Sequence, residues 1–207
     1  MGHPVVTIAR ELGALGEEVG RIVAGELGYR YADDEIIAEA SARAGVSKEA
    51  IERAEHRPSL IGRILESMAG LPVEPSVYYA QALAAPRPAL PTGYDELIRD
   101  VVIETATAGR VVIVAHGAGI CLANMNGVLR VLISATPEVR AERVATSAGV
   151  TLEQARKAVQ SSDADRQDFL RRFYDLRHEE PWHYDLVINT TRLTPERAAA
   201  LILSQAR

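Results

Sequence analysis

A short glycine-containing segment near the start of the chain has the residue types and spacing of an anion site. It lies between an apolar run, residues 5–9, and a helical pattern from Glu17 to Leu27. A helix that starts directly after a buried strand presents free backbone N–H groups and the positive end of its dipole, which suits a phosphate. Glycines let the backbone close around the anion. The candidate residues are Arg10, Gly13, Ala14, Leu15, Gly16, Glu17 and Glu18, with an ordinary strand–helix loop as the alternative.

The segment departs from the common pattern G-x-x-x-x-G-K-[ST], in which a lysine reaches the phosphates and a hydroxyl holds Mg²⁺. Gly16 falls at the lysine position, Glu17 and Glu18 follow it, and no lysine precedes Lys48. Acidic residues in a first helical turn also compensate the helix dipole. Because a carboxylate repels a triphosphate, Glu17 is predicted to weaken the binding of a triphosphate at this loop unless Arg10 or a Mg²⁺ ion lies between the carboxylate and the phosphates.

Arginines concentrate in the last third of the chain. Eight basic and six acidic residues lie between positions 140 and 177, a balance of 8 − 6 = +2 in a chain whose net charge is −5. A guanidinium group grips phosphate through two parallel hydrogen bonds, so this region is a candidate for phosphate contacts. The alternative is an exposed helix whose charges pair at spacings of three and four, as in Asp163–Arg166, Asp168–Arg171 and Asp168–Arg172.

Polar residues also follow two other short apolar segments. Asp33 and Asp34 come after residues 29–31, and His116 and Gly117 come after residues 111–114. Open α/β sheets bind ligands at the carboxyl ends of their strands, so His116 is a candidate for contact with a ligand, with a structural role as the alternative. The two aspartates are candidates for a helix N-cap.

The elements that would position these residues alternate between strand and helix. Continuous apolar runs at 111–114, 128–133 and 185–189 are typical of buried parallel strands. Helical patterns occupy 35–70, 95–108, 138–148, 152–173 and the region after Pro195. Strands separated by helical crossovers imply a parallel sheet with helices on both faces. The sequence therefore predicts a three-layer α/β fold.

The composition of the chain argues against several classes of protein. The 207 residues fit one domain, and the hydrophobic fraction of 47% supports a sizeable core. A net charge of −5 makes the chain a poor candidate for nucleic-acid binding, which needs a basic face. The single cysteine, Cys121, cannot form an internal disulfide. Because no apolar stretch reaches the length that a membrane span requires, we expect a cytoplasmic protein without a membrane segment.

Two stretches of the chain resemble the cytidylate kinase-like family. Family members typically open with I-S-R-Q-Y-G-S-G-G-R-E-I-G, followed by L-A-x-x-L-G and Y-x-D. This chain has T-I-A-R-E-L-G-A-L-G-E-E-V-G at 7–20, and A-G-E-L-G-Y-R-Y-A-D-D at 24–34. The resemblance continues at 111–119, 129–144, 162–174 and 184–190, and the order and spacing of these motifs carry it.

The resemblance implies a P-loop nucleoside-monophosphate kinase fold in a single domain. A helical acceptor-binding insertion would occupy 35–108 and a lid 147–180. The implied activity is phosphoryl transfer from ATP, with Mg²⁺, to a nucleoside monophosphate or similar acceptor. Arg166, Arg171 and Arg172 would neutralise charge during transfer, and Arg143 would border the ATP base. The acceptor would meet Tyr31, Asp33, Asp34, His116 and Gly117.

Three departures from the family pattern bear on activity. Glu17 and His116 each stand where the family has an arginine, and Ala14 replaces the serine of the loop. Phosphoryl transfer depends on positioned charge, so a second hypothesis is a catalytically impaired nucleotide-binding or anion-binding regulatory protein. A protein–protein module is a third, resting on the proline-rich stretch 71–95 alone. The stretch is interpreted as a mobile loop whose tyrosines lie at the acceptor side or at a homodimer contact: Tyr78, Tyr79 and Tyr94.

Overall fold

A computed structural model describes residues 2–45 and 94–207 of the chain. Within these ranges a single sheet contains the strands β1 (Val5–Arg10), β2 (Arg30–Ala32), β3 (Val111–Val114), β4 (Val128–Ser134) and β5 (Leu186–Asn189). Their order across the sheet is β2-β3-β1-β4-β5, and all neighbouring strands are parallel. The predicted parallel α/β sheet is confirmed.

Helices follow the strands along the chain. They are α1 (Gly16–Leu27), α2 (Asp34–Ala44), α3 (Tyr94–Thr107), α4 (Ala118–Cys121), α5 (Pro137–Ala148), α6 (Leu152–Tyr174) and α7 (Pro195–Ala206), with a 3₁₀ turn at Pro181–His183. Local signals set several of their ends. Gly28 ends α1 in a left-handed conformation (φ 64°), and Thr151 starts α6 with a capping box.

The two largest clusters of buried side chains lie on opposite faces of the sheet. On one face, side chains of β1 and β3 pack against α2, α3 and the end of α6, through residues such as Ile36, Ile98 and Phe173. On the other face, α1 and α7 cover the same strands through Val19, Val23 and Ile202. Helices on both faces of a parallel sheet give the three-layer arrangement that the sequence predicted.

Helix α6, which carries the predicted lid arginines, is packed near both of its ends. Ala155 and Val159 lie against α5, and Phe169 and Phe173 are buried against the α2 and α3 side of the core. An amphipathic helix anchored in this way positions its polar side chains by burying its apolar ones. The lid itself, residues 147–180, remains a prediction.

Several predictions fall on residues 46–93, which lie outside the described residues. They concern the helical pattern beyond Ala44, most of the insertion 35–108, nearly all of the stretch 71–95, and the tyrosines Tyr78 and Tyr79. In the described ranges, no helix has the length and apolar character needed to cross a membrane.

Candidate active site

The loop between β1 and α1 depends on glycine at two positions. Gly13 has a left-handed backbone (φ 77°), and a Cβ there would lie 2.7 Å from the carbonyl oxygen of Arg140. A Cβ on Gly16 would lie 2.3 Å from the Cβ of Arg10. Leu15 between them is also left-handed, at φ 70°. The sequence therefore needs both glycines to bring the loop close to its neighbours.

Side chains from outside the loop hold its carbonyl groups. Arg166 donates from Nη1 to the carbonyl of Arg10 at 3.3 Å. Three further donors act in the same way: Arg140 to Leu12 at 3.5 Å, Arg143 to Gly13 at 3.2 Å, and the Thr190 hydroxyl to Ala14 at 2.8 Å. These donors come from α5, α6 and the residue after β5. The loop carbonyls therefore face α5 and α6.

The N–H groups at the start of α1 are left free by this arrangement. The N–H of Ala14 donates to Glu11, closing the turn. Residues 2–45 and 94–207 provide no hydrogen-bond acceptor for the backbone N–H groups of residues 15–18. Unpaired N–H groups at a helix start, with the positive end of the dipole, form an anion site. The N–H groups of residues 15–18 are therefore available to a ligand, and the anion site at this loop stays a prediction.

The charged side chains of the loop are paired with each other. Arg10 Nε lies 2.6 Å from Glu17 Oε1, and the two side chains are 21% and 34% exposed. Arg10 therefore lies beside Glu17 and offsets its charge, and the predicted effect of Glu17 on nucleotide binding stays a prediction. Glu18 is exposed.

Arg140 is a site residue that the sequence analysis missed. It is 2% exposed and forms two hydrogen bonds with Asp163, at 2.8 and 2.7 Å. Its Nε lies 3.5 Å from Glu11 Oε2, an oxygen that also accepts a hydrogen bond from the Ser134 hydroxyl. The predicted Asp163–Arg166 pair is wrong, because Asp163 binds Arg140 on the neighbouring helix instead.

Arg166 is held beside the loop by Glu179. Two hydrogen bonds of 2.7 and 2.5 Å join the guanidinium group to the carboxylate, which also accepts one from the Tyr184 hydroxyl. Burial alone would lower the pKa of Arg166, but the bonds to Glu179 outweigh it and raise that pKa. In the same way burial would raise the pKa of Glu179, and the bond from Arg166 lowers it. Both groups are therefore charged at neutral pH.

The other predicted arginines have different positions. Arg171 and Arg172 both pair with Asp168, at 2.6 and 3.0 Å, and their side chains are 63% and 38% exposed. The exposed-helix pairs predicted for Asp168 are therefore present. Arg143 donates to the carbonyl of Thr190 at 2.6 Å as well as to Gly13, so it lies behind the loop carbonyls. Of the three arginines predicted for charge neutralisation, only Arg166 contacts the loop in the described part of the chain.

The predicted acceptor residues meet at the ends of β2 and β3. His116 Nε2 lies 3.1 Å from the carbonyl oxygen of Asp33 and 3.3 Å from its Oδ1. The Tyr31 hydroxyl donates to Oδ2 of the same carboxylate at 3.3 Å. Burial would raise the pKa of Asp33, but the hydrogen bond from His116 and the nearby positive charge lower it. Asp34 is the first residue of α2.

A strained turn carries His116. Ala115, His116 and Gly117 all have left-handed backbones, with φ of 68°, 53° and 64°. The Tyr174 hydroxyl donates to the carbonyl of His116 at 3.0 Å, and its ring fills the space where a Cβ on Gly117 would lie. Sequence reasoning missed Tyr174, Glu179 and Thr190, because no local pattern marks a side chain that reaches a distant turn.

The anion loop and the acceptor cluster lie close together. The charge of Arg10 contributes to the lowered pKa of Asp33, and that of Glu17 contributes to the raised pKa of Tyr31. The cause is the strand order, which places the carboxyl ends of β1, β3 and β2 side by side. A phosphate on the loop and a second molecule at Asp33 would therefore be neighbours.

Comparison with known proteins decides the family. A family model described as the cytidylate kinase-like family matches residues 5–192. The chain belongs to the cytidylate kinase-like family. The resemblance stated from the motifs is thus confirmed, and with it a P-loop kinase type of fold.

Individual relatives of this family member are distant. A cytidylate kinase of Pyrococcus horikoshii is 32% identical over 100 residues, which cover 48% of this chain and 51% of that protein. An uncharacterised protein from Eubacterium ventriosum has a TM-score of 0.67 at 18% identity, covering 97% of this chain and 96% of its own. The shikimate kinase of Bacteroides thetaiotaomicron has a TM-score of 0.51 at 15% identity, with 97% and 96% coverage. These two solved structures share the α/β kinase fold with this chain.

Proposed function

We propose that this chain is a nucleotide-dependent phosphotransferase that moves a phosphoryl group from ATP to a nucleoside monophosphate or a similar small acceptor. The observation that carries this proposal is the loop backbone. Four donors hold its carbonyls on one side, and the N–H groups of residues 15–18 have no acceptor in the described ranges. Enzymes of this kind work mainly by positioning and by electrostatic stabilisation, which such a cradle supplies.

The donor set fits a nucleotide's phosphates. The free N–H groups would bind phosphate oxygens, with Arg10 and Arg166 the nearest guanidinium groups. Bound Mg²⁺ would neutralise charge on the phosphates. The described ranges contain no cluster of three or more His, Cys, Asp or Glu side chains that could hold a metal. Such an ion would therefore take most of its ligands from phosphate and water.

The roles of the other predicted residues are proposed from their positions relative to the loop. Arg166 would neutralise charge beside the loop once it leaves Glu179, whereas Arg171 and Arg172 would first have to leave Asp168. The acceptor would bind next to the loop, at the cluster that Tyr31, Asp33 and His116 form. Residues 147–180 would serve as the lid and 35–108 as the acceptor-binding insertion. An enzyme that draws on ATP in this way would act in the cytoplasm.

A second candidate function is a catalytically impaired nucleotide-binding or anion-binding regulatory protein. The pairs Arg10–Glu17 and Arg166–Glu179 favour it. In each pair a carboxylate is hydrogen-bonded to the guanidinium group that a phosphate would need to bind. Transfer requires that a phosphate displace at least one of these carboxylates, whereas binding to backbone N–H groups does not.

A coupled assay of ATP consumption, run with Mg²⁺ and a panel of nucleoside monophosphates, separates the two functions. Turnover with one acceptor supports the phosphotransferase. ATP binding by calorimetry without turnover supports the regulatory protein. The absence of both turnover and ATP binding would contradict both functions. Gly16→Ala is the loop variant, because its new Cβ would displace Arg10. Gly25→Ala is the matched control on the same helix, since a Cβ there meets no atom within 4 Å.

A further inference from the structure

The side chain of His116 is directed at Asp33 and is almost completely enclosed. It is 3% exposed, whereas the Asp33 side chain is 21% exposed. Both atoms near Nε2, the Asp33 carbonyl oxygen at 3.1 Å and Oδ1 at 3.3 Å, are acceptors. Nε2 must therefore carry the proton and donate. The ring thus presents little surface to a ligand, while the carboxylate that it holds is partly open.

The backbone that aims this ring is held in an unfavourable conformation. Ala115 and His116 are non-glycine residues with left-handed φ values of 68° and 53°. Such residues cost free energy and persist only where their surroundings enforce them, which occurs mainly at functional sites. Here the enforcing contacts are a hydrogen bond from the Ala115 N–H to the Ile8 carbonyl at 2.9 Å and the Tyr174 hydroxyl on the His116 carbonyl.

The Asp33 carboxylate is fixed from both sides. His116 holds Oδ1 and the Tyr31 hydroxyl holds Oδ2. The Asp33 carbonyl also accepts the N–H of Ile36 at 3.0 Å, which ties the residue to the start of α2. With backbone and both oxygens held, the carboxylate has one orientation. It is therefore preorganised for a partner that approaches from its open side.

We infer that His116 is a positioning residue, which orients the Asp33 carboxylate for the acceptor and does not itself bind the acceptor. This inference rests on the proposed function, since it concerns the acceptor side of that same site. The acceptor it fits carries a hydrogen-bond donor, a hydroxyl or an amino group, that meets the open part of the carboxylate. Asp33 bears a negative charge at neutral pH, because its pKa is lowered. Its contact is therefore with a donor group of the acceptor and not with a phosphate.

The kinetic test uses two substitutions of His116. His116→Leu removes the donor, whereas His116→Gln keeps an N–H donor at a comparable reach. Loss of a hydrogen bond to a charged group is expected to raise the acceptor KM by about tenfold in His116→Leu and to leave the ATP KM unchanged. His116→Gln should restore most of the difference. Equal changes in the two KM values, or no change in the acceptor KM, would overturn the inference.

A double substitution separates positioning from direct contact. If His116 acts through Asp33, then His116→Leu should add nothing to the acceptor KM of Asp33→Asn. An additive effect would mean that the histidine binds the acceptor directly. Circular dichroism of each variant establishes that it is folded. Should His116→Leu not fold, the same comparison is made with His116→Met, which also removes the donor.

A titration of the Asp33 carboxyl carbon by NMR gives a readout that needs no activity. The pKa of Asp33 should rise in His116→Leu and rise less in His116→Gln, which keeps the hydrogen bond but not the charge of the histidine. An unchanged pKa in His116→Leu would overturn the positioning role. Absence of turnover with every acceptor would instead contradict the proposed function, so the two failures are distinguishable.

Discussion

Two turns at neighbouring strand ends are built in opposite ways. Residues 11–15 follow β1 and residues 115–117 follow β3, and the two strands pair in parallel with Ile8 opposite Val114. In the first turn, side chains from other elements hold the main chain, so that backbone N–H groups are presented. In the second, a strained main chain holds one side chain, His116, against Asp33. One sheet edge thus combines a turn that presents backbone N–H groups with a turn that presents a cluster of side chains.

The difference shows how a loop without the usual lysine can still present free backbone N–H groups. The backbone cradle needs glycines and distant donors, which hold the carbonyls of residues 12–14 from α5 and from the residue after β5. The side-chain cluster, by contrast, depends on the identity of Tyr31, Asp33 and His116. Substitution of charged loop residues should therefore change affinity, while substitution of the glycines and of the distant donors should change the folded structure.

The largest expected effect is that of alanine at the glycines of the two turns. Gly13→Ala should lower the free energy of unfolding by about 3 kcal/mol, because a left-handed alanine is strained and its Cβ meets a backbone carbonyl. Gly117→Ala should cost less, about 2 kcal/mol, because the Tyr174 ring that its Cβ meets can shift. Urea unfolding measures both. Gly25→Ala, the control, should raise stability by roughly 0.5–1 kcal/mol, and equal losses at the two turns would contradict the comparison.

Each turn is held by a hydroxyl from another element, and removal of that hydroxyl should give smaller and unequal losses of stability at the two turns. Thr190 is fully buried and its hydroxyl donates to Ala14. Thr190→Val should cost about 2 kcal/mol, because it leaves a loop carbonyl unsatisfied in the interior. Tyr174→Phe loses the bond to the His116 carbonyl and should cost about 1 kcal/mol. A larger loss for Tyr174→Phe would mean that the second turn depends more on its outside donor than the loop does.

Charge substitution in the loop should change nucleotide affinity more than stability. Glu17→Gln releases Arg10 from its 2.6 Å ion pair and leaves a positive charge beside the cradle. ATP should then bind on the order of tenfold more tightly. The gain is no larger because solvent screens the charges of these partly exposed side chains. Calorimetry with and without Mg²⁺ measures it, and Glu18→Gln, one residue further on and exposed, is the control. Weaker binding of Mg·ATP by Glu17→Gln would instead make Glu17 a ligand on the metal side.

Acid should weaken the contacts around both turns. The pKa values of Glu179 and Asp33 are lower in the folded protein than in the unfolded chain. Their stabilising contribution is therefore complete above the unfolded pKa, about 4, and is lost as the pH falls through the folded pKa. Urea unfolding between pH 7 and pH 3, about the range of these groups, should show a shallower pH dependence for Glu179→Gln than for wild type. An identical pH profile would show that Glu179 is not held by Arg166.

The smallest effect is expected at Arg172. Its side chain is 38% exposed, and its partner Asp168 keeps Arg171. Arg172→Ala should change the free energy of unfolding by less than about 0.5 kcal/mol, as an ordinary surface substitution does. ATP affinity should also be unchanged, whereas Arg166→Ala should reduce it because Arg166 contacts the loop. A loss of ATP affinity in Arg172→Ala would instead give Arg172 the phosphate contact that the family resemblance implies.

Much of the fold was predictable because its signals are local. The buried strands appear as apolar runs, as in Val111–Val114, and Gly28 and Thr151 mark helix ends by their own conformational preferences. The loop candidate followed from the same kind of signal, a strand, two glycines and a helix. The donors that complete it did not, since Thr190 binds Ala14 across 176 positions and Arg143 binds Gly13 across 130. No residue spacing within a helix or strand encodes such a contact.

By itself, the sequence determined the order of strands and helices, the place of the glycine loop, the polar residues at three strand ends and the exposed pairs of Asp168 with Arg171 and Arg172. Only the tertiary structure decided which charges meet between elements. Spacing of three or four residues suggested Asp163–Arg166, but α5 packs against α6 and brings the buried Arg140 to Asp163, leaving Arg166 to Glu179. The physical reason is desolvation. A guanidinium group enclosed by packing must have a carboxylate partner, and packing, not sequence spacing, determines which carboxylate is within reach.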